Sequence, residues 1–322
     1  MLAFIDWQPD VEIVTLGPVV LRWYSMLWCI GLLSAYLIVQ KLYQRENISS
    51  VKFEPLFFYC FVGVLVGARL GHCLFYEPDY YLTSMRGFME MFLPIRFTPD
   101  LTDWTFRGYE GLASHGGTIG LFLALWLYAR NNKLGMLGVI DNVALSVPLV
   151  SFCIRMGNLM NSEIIGDVTD VPWAFIFHSR EALVDGQLVP RHPAQLYEAL
   201  AYLVIFFVQL YLFKKHDLPH FAPSTKTSGA KIFTAGSKAA HGTAAEYDLR
   251  GGKTYVGNGY FFGFTLLSIF TFRFFVEFIK KEQVDFEQGM LLDMGQLLSI
   301  PFVIIGAWLM WNACRRISRF GD

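Results

Sequence analysis

The residues best placed to do chemistry in this 322-residue chain are the polar ones that interrupt its apolar runs. The densest group is Arg155-Met156-Gly157-Asn158-Leu159-Met160-Asn161-Ser162-Glu163-Ile164-Ile165-Gly166, which follows directly on the mostly apolar stretch 134–154. An arginine, two asparagines and a glutamate thus stand where a hydrophobic segment meets an edge. Leaving such groups buried and unpartnered costs several kcal/mol, so they need each other or a ligand. A second arginine, Arg273, lies among Phe272, Phe274 and Phe275. Two arginines in apolar walls favour a phosphate, because a guanidinium stays charged and offers fork-shaped donors to phosphate oxygens. His115, in Ser114-His115-Gly116-Gly117, adds a side chain able to accept a proton near neutral pH, and the asparagines add neutral donors.

The elements that must position these residues are membrane helices. The chain is 54% hydrophobic, 16% aromatic and only 16% charged, against about 25% charged in an ordinary soluble domain. Its apolar residues come in long blocks, and a bilayer core needs about 20 apolar residues per helix. Seven spans are expected, at 19–41, 55–76, 113–130, 134–155, 194–213, 257–279 and 295–314. Asp141 and Asn142 interrupt the start of the fourth. The first nineteen residues carry three acidic residues and no lysine or arginine, so the first block is expected to be a retained helix. Fifteen of the 26 basic residues fall on one set of connections, among them Lys41, Arg45, Lys52, Arg130, Lys133 and Arg315. That side is expected to be cytoplasmic, with the N-terminus outside and the C-terminus inside.

The expected fold class is therefore all-α, a polytopic membrane protein with seven transmembrane helices and a small extracytoplasmic head. The domain organisation expected is one membrane domain over residues 1–322. Extracytoplasmic arm and head segments occupy 77–112 and 156–193, and a flexible insert of Ser, Thr, Ala, Gly and Lys occupies 216–256 on the cytoplasmic side. A short hairpin is expected around Asp185-Gly186. Placed on this topology, Tyr24, Arg69, His72, His115, Arg155, Gln195, Glu198, Arg273, Glu277 and Gln296 all fall in the outer half of the bundle. One polar cavity near the outer leaflet follows, and phosphate at that depth means a phospholipid headgroup. From the residues alone the protein reads as a lipid-handling enzyme.

Several of these residues have plainer readings. Gln195 and Gln296 suit helix ends, Tyr24 suits an interfacial aromatic belt, Arg69 suits snorkelling, and Glu277 suits pairing with Arg273 and Lys281. Gly63, Gly67 and Gly71, and Gly116 and Gly120, recur every four residues as in close helix packing. No metal or cofactor is expected, since no second ligand stands at metal spacing near His115. The five scattered cysteines read as small buried side chains. A net charge of −1 gives no basic field for nucleic acid.

The motifs carry further. The stretch Arg155 to Gly166 resembles the signature of the bacterial prolipoprotein diacylglyceryl transferase family. His115-Gly116-Gly117, Arg191-His192-Pro193-Ala194-Gln195-Leu196-Tyr197-Glu198, Val276-Glu277-Phe278 after Arg273, and Met294-Gly295-Gln296 through Pro301 resemble its other motifs, in the same order. The likeness covers about residues 15–213 and 257–314. It implies a seven-helix inner-membrane enzyme that transfers the diacylglyceryl group of phosphatidylglycerol to the lipobox cysteine of a prolipoprotein signal peptide. A thioether forms and glycerol 1-phosphate leaves.

Under that resemblance Arg155 and Arg273 are expected on the phosphate, with His115 as base or thiol-orienting group. Tyr24, Arg69, Asn158, Asn161, Glu163, Glu198 and Glu277 are expected to bind or position substrate, and Gly166 to permit the turn of the loop. The chain departs from the family pattern at Ile154, Ala68, Ile269 and Lys281-Glu282-Gln283. Two other classes compete. A lipid or anion transporter would want polar groups on both sides of the midplane, and a receptor leaves the His-Gly-Gly and Arg-Met-Gly-Asn groups without a purpose.

Overall fold

Apolar runs that leave water must hydrogen-bond their own backbone, and the helix does so within one segment. The computed structural model is mostly helical accordingly, and describes residues 4–17, 19–46, 48–98, 100, 102–106, 111–217, 254–255, 257–280 and 292–318. Its helices are α1 (Trp23–Arg45), α2 (Ser50–Phe75), α3 (Pro78–Tyr81), α4 (Met85–Phe92), α5 (Ser114–Asn131), α6 (Met136–Ala144), α7 (Val147–Met160), α8 (Ala194–Lys215), α9 (Tyr260–Val276) and α10 (Met294–Ser318). Five of them, α1, α2, α8, α9 and α10, are long and apolar enough to cross a membrane, and α6 with α7 makes a sixth as one span bent by 43°. The chain is a polytopic membrane protein. The expected third span coincides with α5, whose ends carry Ser114, His115, Arg130 and Asn131 and dilute its apolarity. The first span begins at Trp23 rather than residue 19, because Val19–Arg22 pairs with Glu12–Leu16 as a hairpin.

The chain forms two compact units, residues 1–42 with 140–322, and residues 43–139. In the second, α2 packs on α5 through the small-residue faces anticipated from their spacing. A Cβ on Gly71 would stand 2.7 Å from the Gly116 Cα, and one on Gly120 would stand 2.9 Å from the Gly67 Cα. Only bare backbone lets the two helices approach this closely, and Ala113 donates directly to the Ala68 carbonyl at 2.9 Å.

Beyond α2 the same unit carries an arm. Arg69 is buried and does not snorkel. Its Nε donates to the Met91 carbonyl at 3.2 Å and Nη2 to the Glu90 carbonyl at 2.6 Å, so it satisfies free carbonyls in the last turn of α4. Its guanidinium also lies 4.9 Å from the Tyr81 ring. The Glu90 carboxylate, 1% exposed, accepts from Tyr80, Arg86 and the Phe97 amide. Met85, Phe88 and Phe92 stay exposed on α4, as do Trp104 and Phe106 on a short hairpin. Such a face suits a structure lying in a membrane interface.

In the first unit α7, α8, α9 and α10 pack together, and Leu42, Leu145, Tyr260, Phe261 and Ala313 form a buried cluster. The fourth span breaks because Pro148 has no N–H to give the Ala144 carbonyl, four residues earlier. That carbonyl accepts instead from Gln209 Nε2 at 3.4 Å and Thr265 Oγ1 at 3.3 Å. Asp141, wholly buried, accepts the backbone N–H of Gly259 at 2.6 Å and of Phe262 at 2.8 Å, and so caps α9. Polar groups thus occur at both ends of this bundle, which corrects the expectation of a single polar level. Those at the α9 N-terminus serve the backbone.

The head also belongs to this unit. Ile5–Trp7 pairs in parallel with Phe175–Phe177, which pairs antiparallel with Pro190–Arg191. Leu183–Val184 and Gln187–Leu188 form the expected hairpin, with Asp185 and Gly186 both at positive φ as a two-residue turn requires. At the insert, His216–Asp217 pairs in parallel with Thr254–Tyr255, while 218–253 lie outside the described residues.

Gly67→Leu is expected to lower the unfolding temperature of the purified protein clearly, since overpacking alone costs about 1–3 kcal/mol and here the obstacle is backbone. Gly135→Ala, where a Cβ meets nothing within 4 Å, should leave it unchanged. The arm carries a pH dependence. Burial alone would raise the Glu90 carboxyl, but the hydrogen bonds from Tyr80, the Phe97 amide and Arg86 outweigh it and hold the group below its ordinary value. A depressed carboxylate stabilises above its unfolded pKa and loses that contribution as the pH falls through the folded one. Hydrogen exchange in the 78–97 arm should therefore quicken below about pH 4.3. Glu90→Gln should show fast exchange already at neutral pH.

Candidate active site

The C-terminal half of α7 begins a chain of hydrogen bonds. Arg155 Nη1 donates to Asn158 Oδ1 at 3.1 Å, and Asn158 Nδ2 donates to Glu163 Oε2 at 3.1 Å. Asn161 Nδ2 donates to Glu163 Oε1 at 2.7 Å, so both carboxylate oxygens are engaged. Gln195, opening α8, donates to the Glu163 carbonyl. The loop that carries Glu163 is strained. Ser162 and Ile164 have φ of 55° and 56°, a left-handed conformation that is a true outlier for a β-branched residue.

Its surroundings hold the strain in place. Trp7 Nε1 donates to the Leu159 carbonyl at 3.0 Å, and Ile165 packs with Leu159, Phe175 and Phe177. Gly166 donates to the His192 carbonyl at 2.9 Å and bridges to Lys280. Gly166 is required for close approach rather than for the turn expected of it. It has no positive φ, and a Cβ there would stand 2.6 Å from the His192 oxygen and 2.7 Å from that of Ile279. Arg191 is buried and ties the Ala182 and Gly166 carbonyls together at 2.9 and 3.2 Å.

Charge gathers above this loop. Glu198, wholly buried on α8, lies 2.7 Å from Arg155 Nε through Oε2 and 3.5 Å from Lys280 Nζ through Oε1. Lys280 also pairs with Glu277 at 3.3 Å, its i,i+3 neighbour. Glu277 thus pairs with Lys280; among the described residues it makes no ion pair with Arg273, and Lys281 lies outside them. Tyr202, one turn beyond Glu198, interacts with Glu198, Arg155 and Arg273. Arg273 itself, in the last turn of α9, makes no hydrogen bond or ion pair through its side chain among the described residues. Tyr24 packs its ring on Gly157, where a Cβ would stand 2.8 Å away, within electrostatic reach of Glu163 and Arg155.

Tyr24, Arg155, Asn158, Asn161, Glu163, Glu198, Arg273 and Glu277 therefore belong to one unit, where Arg155 and Lys280 pair with Glu198 and Glu277. Arg69 and His115 belong to the unit 43–139, where His115 stands exposed at the second position of α5. Gln296 is buried and structural, donating to the Phe274 carbonyl at 3.3 Å and accepting from the Asp293 amide at 3.1 Å. Sequence reasoning missed Lys280 and Tyr202. The signal for each was helical spacing alone, three residues from Glu277 and four from Glu198. His192, beside the Tyr197 hydroxyl at 3.2 Å, is pushed below its ordinary pKa by burial, against the pull of Asp167.

Gly166→Ala forces a methyl group against two carbonyl oxygens. It is expected to remove activity and to speed hydrogen exchange at 163–168, with the membrane helices still protected.

The sequence matches the family model for prolipoprotein diacylglyceryl transferase over residues 11–235 and 248–312. It is 49% identical over 311 residues to the phosphatidylglycerol–prolipoprotein diacylglyceryl transferase of Bacteroides fragilis, covering 97% of this chain and 96% of that one. The enzyme of the same name from Porphyromonas gingivalis is 37% identical, with 97% and 96% covered, and that from Tolumonas auensis 35%, with 97% and 99% covered. With the Arg155–Gly166 loop, Glu198, Arg273 and Glu277 joined in one charged site inside a polytopic helical protein, the chain belongs to the prolipoprotein diacylglyceryl transferase family.

Proposed function

We propose a division of labour among these residues for the activity that family membership brings, that of a phosphatidylglycerol–prolipoprotein diacylglyceryl transferase. The substrates are phosphatidylglycerol and the lipobox cysteine of a prolipoprotein signal peptide. The cysteine sulfur attacks the glycerol carbon of the diacylglyceryl group and loses its proton to a base. The carbon–oxygen bond to phosphate breaks, its electron pair leaves on oxygen, and glycerol 1-phosphate departs.

The observation that carries the assignment is Arg273, a permanent cation in an apolar helix with no counter-ion among the described residues, while Arg155 rests on Glu198. An intramembrane guanidinium takes an anionic or polar partner, and a lipid phosphate is a partner of that kind. Arg273 takes the phosphate first, and Arg155 joins it as charge builds on the leaving oxygen, where fixed donors help most. Asn158, Asn161 and Glu163 set the Arg155 edge, and Tyr24, Glu198 and Glu277 line the headgroup. Gly166 keeps the loop closed against His192. Arg69 supports the substrate through the arm it fastens. His115 is the base or the thiol-orienting group. A thiol of pKa about 8.5 is only a few per cent thiolate at neutral pH, so a base speeds the step.

The protein sits in the bacterial cytoplasmic membrane as one membrane domain, N-terminus outside and C-terminus in the cytoplasm. The site then opens toward the outer leaflet. The basic residues of the short connections Lys41–Lys52 and Arg130–Lys133 support this orientation.

The test follows glycerol phosphate release by purified protein in lipid nanodiscs, given phosphatidylglycerol and a lipobox peptide. Arg273→Ala should lower the rate about 10²–10³-fold, as loss of a transition-state donor does, with thermal unfolding unchanged. Arg273→Lys should recover part of it. No release by the unaltered protein with a competent peptide defeats the reading, and full activity of Arg273→Ala defeats the phosphate role.

A further inference from the structure

Lys280 stands outside the residues to which the sequence assigned a role, yet it is among the most deeply buried charges in the molecule, its side chain 3% exposed. A lysine is almost never buried without a task, because its ammonium is strongly hydrated. It touches two carboxylates and no other polar side chain among the described residues: Glu277 Oε2 at 3.3 Å and Glu198 Oε1 at 3.5 Å. Glu198 is divided in turn, one oxygen toward Lys280 and the other 2.7 Å from Arg155 Nε. That second approach is close but poorly aligned, and leaves Oε2 buried without a proper hydrogen bond. Glu198 is therefore held near Arg155 by charge and is not locked to it.

We propose that Lys280 keeps Arg155 available to an anionic lipid phosphate by sharing Glu198, which passes from Arg155 to Lys280 when the phosphate arrives. The inference rests on the reading that the site binds a phospholipid phosphate. Arg155 already faces the Glu198 carboxylate at 2.7 Å, inside the bundle. A phosphate that reaches Arg155 must displace a carboxylate or crowd a second negative charge against it at low dielectric. Glu163 cannot yield, because both its oxygens take asparagine donors. Glu277 acts on Arg155 only across a distance and makes its ion pair with Lys280. Glu198 needs only to turn toward an ammonium it already faces. Lys280 is thus a positioning residue. It acts on the phosphate through Glu198 and Arg155, and its backbone bridge to Gly166 fixes it beside the signature loop.

Without Lys280 the carboxylate has one cation left and stays on Arg155. The test measures lipid binding apart from turnover, as the rise in unfolding temperature when phosphatidylglycerol is added to the full-length protein in neutral detergent. Phosphatidylcholine serves as the zwitterionic control. The unaltered protein should be stabilised by phosphatidylglycerol in preference to phosphatidylcholine. Lys280→Met should lose that preference and raise the KM for phosphatidylglycerol about tenfold, with kcat changed far less. Lys280→Arg should keep both. Lys280→Met combined with Glu198→Gln should regain the preference, because the competing charge is gone.

A merely structural lysine gives the opposite result in that double variant, a further loss, and that overturns the proposal. Should Lys280→Met not fold, Glu198→Gln alone decides: it should tighten phosphatidylglycerol binding, and weaker binding overturns the proposal. If the unaltered protein shows the lipid preference but releases no glycerol phosphate with a competent peptide, the transferase reading fails and the counter-ion exchange stands.

Discussion

The structure depends on keeping a guanidinium charged inside an apolar bundle. Arg155, in the C-terminal half of α7, faces Glu198 at 2.7 Å, and Glu198 is wholly buried. Removing one partner of a buried pair costs about 3–5 kcal/mol, because the other charge is left without compensation. That penalty fixes what surrounds it. Glu198 must enter near the start of α8, just past its first turn, so the loop from Arg155 to Pro193 must return to the level at which it left. The head strands, the Trp7 bond to Leu159 and the Arg191 bonds to Ala182 and Gly166 achieve that return. Lys280 closes the circle from the end of α9, by its side chain on Glu198 and its backbone on Gly166.

The rest of the molecule follows the same rule with backbone in place of side chains. In lipid, a freed carbonyl is as expensive as a lost hydrogen bond. Pro148 frees one at Ala144, and Gln209 and Thr265 answer it. The start of α9 exposes N–H groups, and Asp141 answers those. The end of α4 exposes carbonyls, and Arg69 answers them from α2. Buried polar residues in this chain therefore divide into those that complete the backbone and those that face other charges. Among the described residues the second kind gathers around Glu90 in the arm and around Arg155, where Lys280 adds a further buried cation.

That division explains what could be read from the sequence. The helices were legible because apolar length alone specifies them, and the glycine faces because spacing every four residues has one geometric meaning on a helix. The Arg155–Gly166 loop was legible because four polar groups at a span edge have few bland readings. Arg69 was not, since an arginine near a helix end looks the same whether it meets lipid headgroups, a ligand or a neighbouring helix terminus. Gly166 was read as a turn residue because sequence does not distinguish freedom in φ from lack of room for a Cβ. Lys280, the first of a Lys-Lys pair just past an apolar run, carried no sign in the sequence that its side chain is buried. Asp141, noticed only as an interruption, shows the same ambiguity at the opposite end of the bundle.

The strained loop gives the site its character. Two non-glycine residues in left-handed conformation cost of order 1–3 kcal/mol each, and they persist only where neighbours over-determine them. Here the neighbours are the asparagine donors on Glu163, Gln195 on its carbonyl, and the packing of Ile165 in the head. The strain turns the Glu163 carboxylate back over α7, where it fixes Asn158 and through it one edge of Arg155. Holding the acid one asparagine away keeps the arginine oriented without cancelling its charge. Glu198 and Lys280 make the same compromise on the other edge, by dividing one carboxylate between two cations. Both edges of Arg155 are thus restrained by groups that stop short of saturating it, which is the condition a guanidinium must meet to accept a phosphate in a low-dielectric site.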